Sequence, residues 1–388
     1  MRIGIYGGTF NPPHMGHCNA AKHAMAALCL DEMLLIPSCS SPHKQIPAHS
    51  PTPRQRLEMV EKMAGEGQRV SDIELSRGGT SFTYETVLQL KKEHPNDELV
   101  LCMGTDMFLS FETWKNPHII LENASLGVFY RGEKGEKERI EAKKALLESH
   151  GATIYITENP VLDISSTQLR RMLVFGCADS FLHPAVLEYI RENGLYGTKE
   201  DYKALPMEKL EEVVISLLDP KRIPHVLGCR DTAAELARLW GADETDAARA
   251  GLLHDITKAL DGPLQLTLCR EYGKLLDDFG HNNPKTLHAL TGSLVAERIF
   301  GENPAVVAAV ESHTTGKANM NTLEKIIYVA DYMEPCRDFP GVEQLRHLAY
   351  TDLDKALELG LTKTLKLLQE QGRDISPASV EALAYLQR

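Results

Sequence analysis

The chain opens with "RIGIYGGTFNPPHMGHCNAAKHAMAALCL" over Arg2–Leu30. A short apolar run enters a loop rich in glycine and proline, and the loop enters a segment of helical composition. A strand that ends in glycines just before a helix start is a ready anion site. Glycine lets the backbone approach closely, and the first helical turn offers free N–H groups and a positive dipole end. His14 and His17, three apart, share one face of that turn. Neither G-x-x-x-x-G-K-[ST] nor G-x-G-x-x-G is present. Two imidazoles there could donate to phosphoryl oxygens, do acid–base work or hold a metal. Zinc is disfavoured, because the nearby sequence offers no third ligand.

Working outward, strand-like runs at Ile3–Tyr6, Met33–Pro37, Leu99–Met103, Leu126–Tyr130 and Thr153–Thr157 alternate with helix-like segments such as Tyr84–Glu93 and Lys137–Ser149. That alternation predicts an α/β doubly wound domain with a parallel sheet, over residues 1–197. After "NGLYGTKEDYKALP" the period changes. From Met207 onward apolar residues recur every three or four positions, with turn signals between the segments, which predicts an all-α bundle over 207–388. No internal repeat or low-complexity tract is seen.

A length of 388 residues suits two or three domains. The net charge of −12 argues against nucleic-acid and anionic-membrane partners, though not against a local cationic pocket. The eight cysteines form no C-x-x-C pair. No apolar run approaches the ~18 residues of a membrane helix, and Met1 leads directly into a strand, so no signal peptide is expected. The expectation is a reduced, cytoplasmic protein, with homo-oligomerisation left open.

Farther along, "ISSTQLRRML" places Ser165, Ser166 and Thr167 at a helix start, with Arg170 and Arg171 within a turn. Hydroxyls, free N–H groups and guanidinium form an anion site suited to a polyphosphate. "GGTFNPPHMGH", "SPHK" and "ISSTQLRRML", in that order, resemble the adenylyltransferase superfamily marked by H-x-G-H and an S-S-T-x-x-R helix. With "GTSFTYETV", "MGTDMFLSFETW" and "LHPAVLEYIRENGLYG", the first half is similar to the bacterial nicotinate-nucleotide adenylyltransferases. The resemblance implies a Rossmann-like domain in which nicotinate mononucleotide attacks the α-phosphate of ATP. It implies that His14 and His17 hold the ATP phosphates, and that Lys44, Ser165, Ser166, Thr167 and Arg170 grip the phosphates that remain. Gly7, Gly8, Thr9, Phe10, Gly104 and Asp106 would contact the nucleotide, and Thr83 and Trp114 the pyridine end. Mg2+ would arrive with ATP. Phosphopantetheine or nicotinamide mononucleotide stay open as acceptors. Two departures touch the site: "SPHK" for "PPHK", and Glu85-Thr86 for Asp-Thr.

In the helical half, "GLLHDITK" sets His254 and Asp255 side by side in an apolar helix, where a carboxylate needs a partner or a metal. His225, His288, His313 and Asp331 lie on separate helix-like segments, and imidazole with carboxylate suits divalent ions. The order H…HD…H…H…D resembles the HD-domain phosphohydrolases. "TLHALTG", "ESHTTG" and "LEKIIYVADYMEP" are similar to the branch that splits diadenosine tetraphosphate into two ADP. The resemblance implies two divalent metals, iron first with manganese or another ion as alternatives. Their ligands would be His225, His254, Asp255, His288, His313 and Asp331, with Asp255 bridging. Lys258 would reach a substrate phosphate, and Thr314 and Gly316 would line the pocket. A non-catalytic nucleotide-sensing HD module, or another nucleotide substrate, stays open. Pro224 requires that the helix carrying His225 start there.

Overall fold

A computed structural model of the chain describes residues 1–39, 50–130, 135–158 and 164–388. The chain divides into two compact units, Met1–Glu200 and Asp201–Arg388.

The first unit is built on a parallel sheet of strands β1 (Arg2–Gly8), β2 (Glu32–Pro37), β3 (Gln68–Val70), β4 (Glu98–Gly104), β5 (Ser125–Tyr130) and β6 (Ile154–Glu158), in the spatial order β3-β2-β1-β4-β5-β6. β1 pairs with β2 on one side and β4 on the other, with Ile3 opposite both Glu32 and Leu99. The strand order reverses between β1 and β4, and doubly wound sheets open a ligand crevice at such a point, beyond the carboxyl ends of the strands. Ile3, Leu34, Leu126 and Val128 are fully buried, as expected where helices cover both faces. The sequence reading missed β3. Its three residues, Gln-Arg-Val, are too few and too polar to show a strand period.

The second unit is helical throughout its length. Its first long helix, Ile223–Trp240, starts with Pro224 in the first turn. There proline removes only an N–H that would be unpaired anyway. The helix Glu244–Leu253 packs hard against it. A Cβ on Gly251 would stand 2.7 Å from Arg230 Cα, so only glycine admits this approach. The helix stops at Leu253, and residues 254–259 form tight turns, with Lys258 N–H donating to the Asp255 carbonyl at 2.9 Å. His254 and Asp255 thus sit at a helix end and not within a helix as read. Burial in an apolar run looks alike for both. No helix among the described residues is long and apolar enough to cross a membrane.

Gly251→Ala is expected to destabilise the second unit by about 2 kcal/mol through overpacking against fixed backbone. The thermal midpoint of its unfolding transition reports this, and an unchanged midpoint would contradict the tight approach.

Candidate functional site

In the first unit a cleft of about 500 Å³ opens over the ends of β1 and β4. Gly7, Gly8, Thr9 and Phe10 line it, with His17, Thr83, Gly104, Asp106, Trp114 and Ser166. Five of these come from the strand ends and the loop after β1, so sheet topology gathers what the sequence separates.

The loop geometry distinguishes the two histidines. His14 caps the helix Met15–Ala27, and its backbone N–H donates to His17 Nδ1 at 3.2 Å. A neutral His17 with Nδ1 accepting carries its proton on Nε2, the nitrogen left to donate to a ligand. The His14 ring lies 3.8 Å from that of His17, centroid to centroid, yet is only 7 % exposed and does not line the cleft. Its Nδ1 is buried without a partner, and burial pushes its pKa down to about 4.

The serine–threonine–arginine helix, Ser166–Val174, has a second task. Ser165 caps it, its Oγ accepting from Gln168 N–H at 3.2 Å. Arg170 donates to the Asn11 carbonyl at 2.8 Å and to Thr167 Oγ1 at 3.1 Å. Ser166 Oγ lies 3.4 Å from the Pro12 carbonyl. Arg170 and Thr167 therefore brace the histidine loop in this structure, and only Ser166 reaches the cleft. Tyr196 joins them, its hydroxyl donating to Asn11 Oδ1 at 2.8 Å. Lys44 falls outside the described residues. Of the departures, Glu85 pairs with Arg77 at 3.2 Å, and Thr86, buried, donates to Glu74 at 2.7 Å.

Arg56 was missed. It has no exposed surface and donates to the carbonyls of Thr9 (2.6 Å), Ser38 (2.7 Å) and Cys39 (3.0 Å), tying the loops after β1 and β2 together. The signal was present. Arg56 shares a helical face with Met59, Val60 and Met63, a place for an apolar residue.

In the second unit all six candidate ligands converge. His225, His254 and Asp331 form one group and Asp255, His288 and His313 another, with the ligand atoms of each group within 4.8 Å of one another. Asp255 faces both. Its Oδ2 lies 3.6 Å and 3.5 Å from His225 and His254 Nε2, and its Oδ1 lies 3.5 Å and 3.8 Å from His288 and His313 Nε2.

Each histidine is oriented from behind. Nδ1 of His254 meets the Gly251 carbonyl at 2.7 Å, His313 meets Val310 at 2.7 Å, and His288 meets Lys285 at 3.0 Å. His225 Nδ1 meets the buried Glu334 carboxylate at 3.0 Å. These oxygens can only accept, so Nδ1 holds the proton and Nε2 turns its lone pair inward. Burial pushes His254, His288 and His313 below the ordinary imidazole range, which keeps them neutral. His225 and His254 then point two lone pairs at each other across 3.2 Å, an arrangement that a shared cation stabilises. The donor set of imidazole and carboxylate fits two divalent metals.

Lys258 Nζ is 2.9 Å from His288 Nε2, and burial lowers its pKa to about 8. Thr314 Oγ1 lies 3.1 Å from Nε2 of both His288 and His313. Gly316 instead closes the turn after the Pro304–Ser312 helix, with a left-handed φ of 65° and Ala382 packed where its Cβ would be. The sequence reading also missed Glu334. Gly228 makes room for it, since a Cβ there would stand 2.6 Å from Glu334 Oε2.

Two family models match the chain: "Cytidylyltransferase-like" over residues 5–172 and "HD domain" over 222–336. A probable nicotinate-nucleotide adenylyltransferase of Borrelia garinii is 36 % identical over 203 residues, covering 51 % of this chain and 96 % of its own. A symmetrical bis(5'-nucleosyl)-tetraphosphatase of Halalkalibacterium halodurans is 39 % identical over 170 residues, covering 44 % of this chain and 90 % of its own. The chain belongs to both families, one in each half. A crystal structure titled as a "predicted HD superfamily hydrolase involved in NAD metabolism", from Clostridium acetobutylicum, is 39 % identical. It covers 47 % of this chain and 97 % of its own, with a TM-score of 0.46.

Two outcomes are expected. His14 is neutral when folded and its pKa is depressed, so its contribution to stability is full above about pH 6.5 and is lost as pH falls toward 4. The total is about 3 kcal/mol. Chemical denaturation of the wild type and His14→Asn across that range should show the gap between them narrowing by that amount. Glu334→Gln is expected to weaken divalent-metal binding about 10- to 100-fold, measured by chelator competition, because His225 loses its orienting carboxylate.

Proposed function

We propose that the chain is a bifunctional enzyme of nucleotide metabolism. The first unit transfers the adenylyl group of ATP to nicotinate mononucleotide. The mononucleotide phosphate attacks the α-phosphorus, the α–β bridging bond breaks, and pyrophosphate leaves. Such a transfer needs in-line positioning and charge neutralisation more than a protein nucleophile. The His17 Nε2–H, the helix N-terminus beneath it and Ser166 supply donors to the phosphates. Gly7 and Gly8 let the nucleotide approach β1, and Trp114 offers a flat face to the pyridine ring. His14 holds His17 in the tautomer that donates. Arg56, Arg170 and Tyr196 keep the loop rigid so that no reorganisation accompanies the transfer. Magnesium is carried by the ATP phosphates and water.

The second unit hydrolyses diadenosine tetraphosphate to two ADP. The observation that carries this reading is Asp255, whose two oxygens face two separate groups of inward-turned ligands. His225, His254 and Asp331 would hold one metal, His288 and His313 the other, with Asp255 shared. Two divalent ions, when bound, activate water and neutralise phosphate charge. Lys258 and Thr314, beside His288, offer donors to a phosphate. The chemistry breaks the bond between the two central phosphates.

The full-length protein, purified anaerobically and supplied with iron or manganese, is expected to release only ADP from diadenosine tetraphosphate. With Mg-ATP it should convert nicotinate mononucleotide to the dinucleotide faster than the amide. Asp255→Asn should cut the hydrolysis at least about a hundredfold and spare the transfer. His17→Ala should do the converse, with a loss of about 10²- to 10³-fold. Tight nucleotide binding without ADP release would show a sensing module. Equal rates with acid and amide would overturn the acceptor.

A further inference from the structure

Cationic side chains rest directly on the candidate ligand atoms of the second unit. Arg222 pairs with Asp255 Oδ2. Arg337 donates from Nη2 to Asp331 Oδ1 at 2.5 Å and from Nε to the Asp331 carbonyl at 2.7 Å. The oxygens they hold are the same ones that face His225 and His254, at 3.2–3.8 Å. A divalent ion held by that group would bind the same carboxylate oxygens on which the two arginines rest.

Charge and exposure say what the arginines do next. Three carboxylates, Asp255, Asp331 and Glu334, are matched here by Arg222, Arg337 and Lys258, so the pocket is close to neutral. Two divalent ions would add four positive charges, and a guanidinium left among them would be repelled. Both arginines can move. Their side chains are 31 % and 36 % exposed, whereas Asp255 is 2 % exposed and cannot follow. Arg222 directly precedes the helix that carries His225, so its backbone stays at the pocket whichever way its side chain turns. A guanidinium keeps its charge when desolvated, and its planar fork matches two oxygens of a phosphate.

We propose that Arg222 and Arg337 form a metal-released phosphate clamp: they neutralise Asp255 and Asp331 in the metal-free protein, and once divalent ions hold those carboxylates they turn to the phosphate chain of a nucleotide polyphosphate. This rests on reading the second unit as a two-metal site. It adds a specificity device to that site, because the clamp forms only when the metals are in place. It also implies that metal and arginine compete for one pair of oxygens.

The competition gives two readouts of opposite sign on full-length protein. Manganese affinity is measured by chelator competition. The manganese-dependent gain in ADP affinity is measured by calorimetry, with Asp255→Asn setting the contribution of the first unit. Arg222→Met and Arg337→Met should each bind manganese about three- to tenfold more tightly, since no ion pair has to open first. Each should lose about tenfold of the ADP gain. Arg222→Lys retains the positive charge, so it should restore manganese affinity toward wild type while recovering only part of the ADP gain. Arginines that merely brace the carboxylates would make the Met variants bind manganese more weakly, or equally, and that result overturns the clamp. An undiminished ADP gain overturns it too. If the wild type shows both effects but releases no ADP from diadenosine tetraphosphate, the clamp stands and the substrate reading fails.

Discussion

A carboxylate taken out of water must be met by positive charge or by metal, and Asp255 is 2 % exposed. Much of the second unit follows from that one constraint. Three histidines and a second aspartate come from separate segments to join His254 around it, and each imidazole is turned by an oxygen behind it so that its lone pair faces inward. Glu334, itself buried, packs against Gly228, where a Cβ would stand 2.6 Å from its Oε2. The helices approach closely at Gly251, whose carbonyl meets His254 Nδ1. Packing and chemistry are the same contacts here.

The first unit meets the inverse problem. Arg56 is a guanidinium with no exposed surface, satisfied by backbone carbonyls of the loops after β1 and β2. Buried carbonyls of irregular loops need donors as much as the guanidinium needs acceptors. The result is a rigid cleft wall at the point where the sheet order reverses. Arg170 and Tyr196, more than 150 residues downstream, hold Asn11 of the same loop. The end of the unit is thereby fastened to the histidine loop at its beginning. His14 and His17 divide the labour within that loop, one buried and orienting, the other presented to the cleft.

On the proposed function both sites take phosphate substrates by different means, and the contrast is physical. A nucleotide that carries its own magnesium needs a cradle of N–H donors, and a glycine loop on a helix start supplies one. Hydrolysis with water as nucleophile needs ions that the protein itself must hold, and neutral imidazoles with ionised carboxylates do that.

The periodicity of the chain alone determined the two-part architecture, because alternating strands and helices and a purely helical period are local properties. Five of the six strands were legible. β3 was not, since three mixed residues carry no period. Motifs also marked both candidate sites, through the glycine loop with its two histidines and the six scattered candidate ligands. Only the tertiary structure decided which residues share a space. It sent His17 to the cleft and His14 beneath it, turned Thr167 and Arg170 to bracing, set Gly316 in a turn, and added Arg56, Glu334, Arg222 and Arg337. The reason is that spacing along a helix says which face a residue occupies, whereas the partner of a buried charge comes from wherever the packed chain brings one. His225 and Glu334 lie 109 positions apart in sequence and 3.0 Å apart in space.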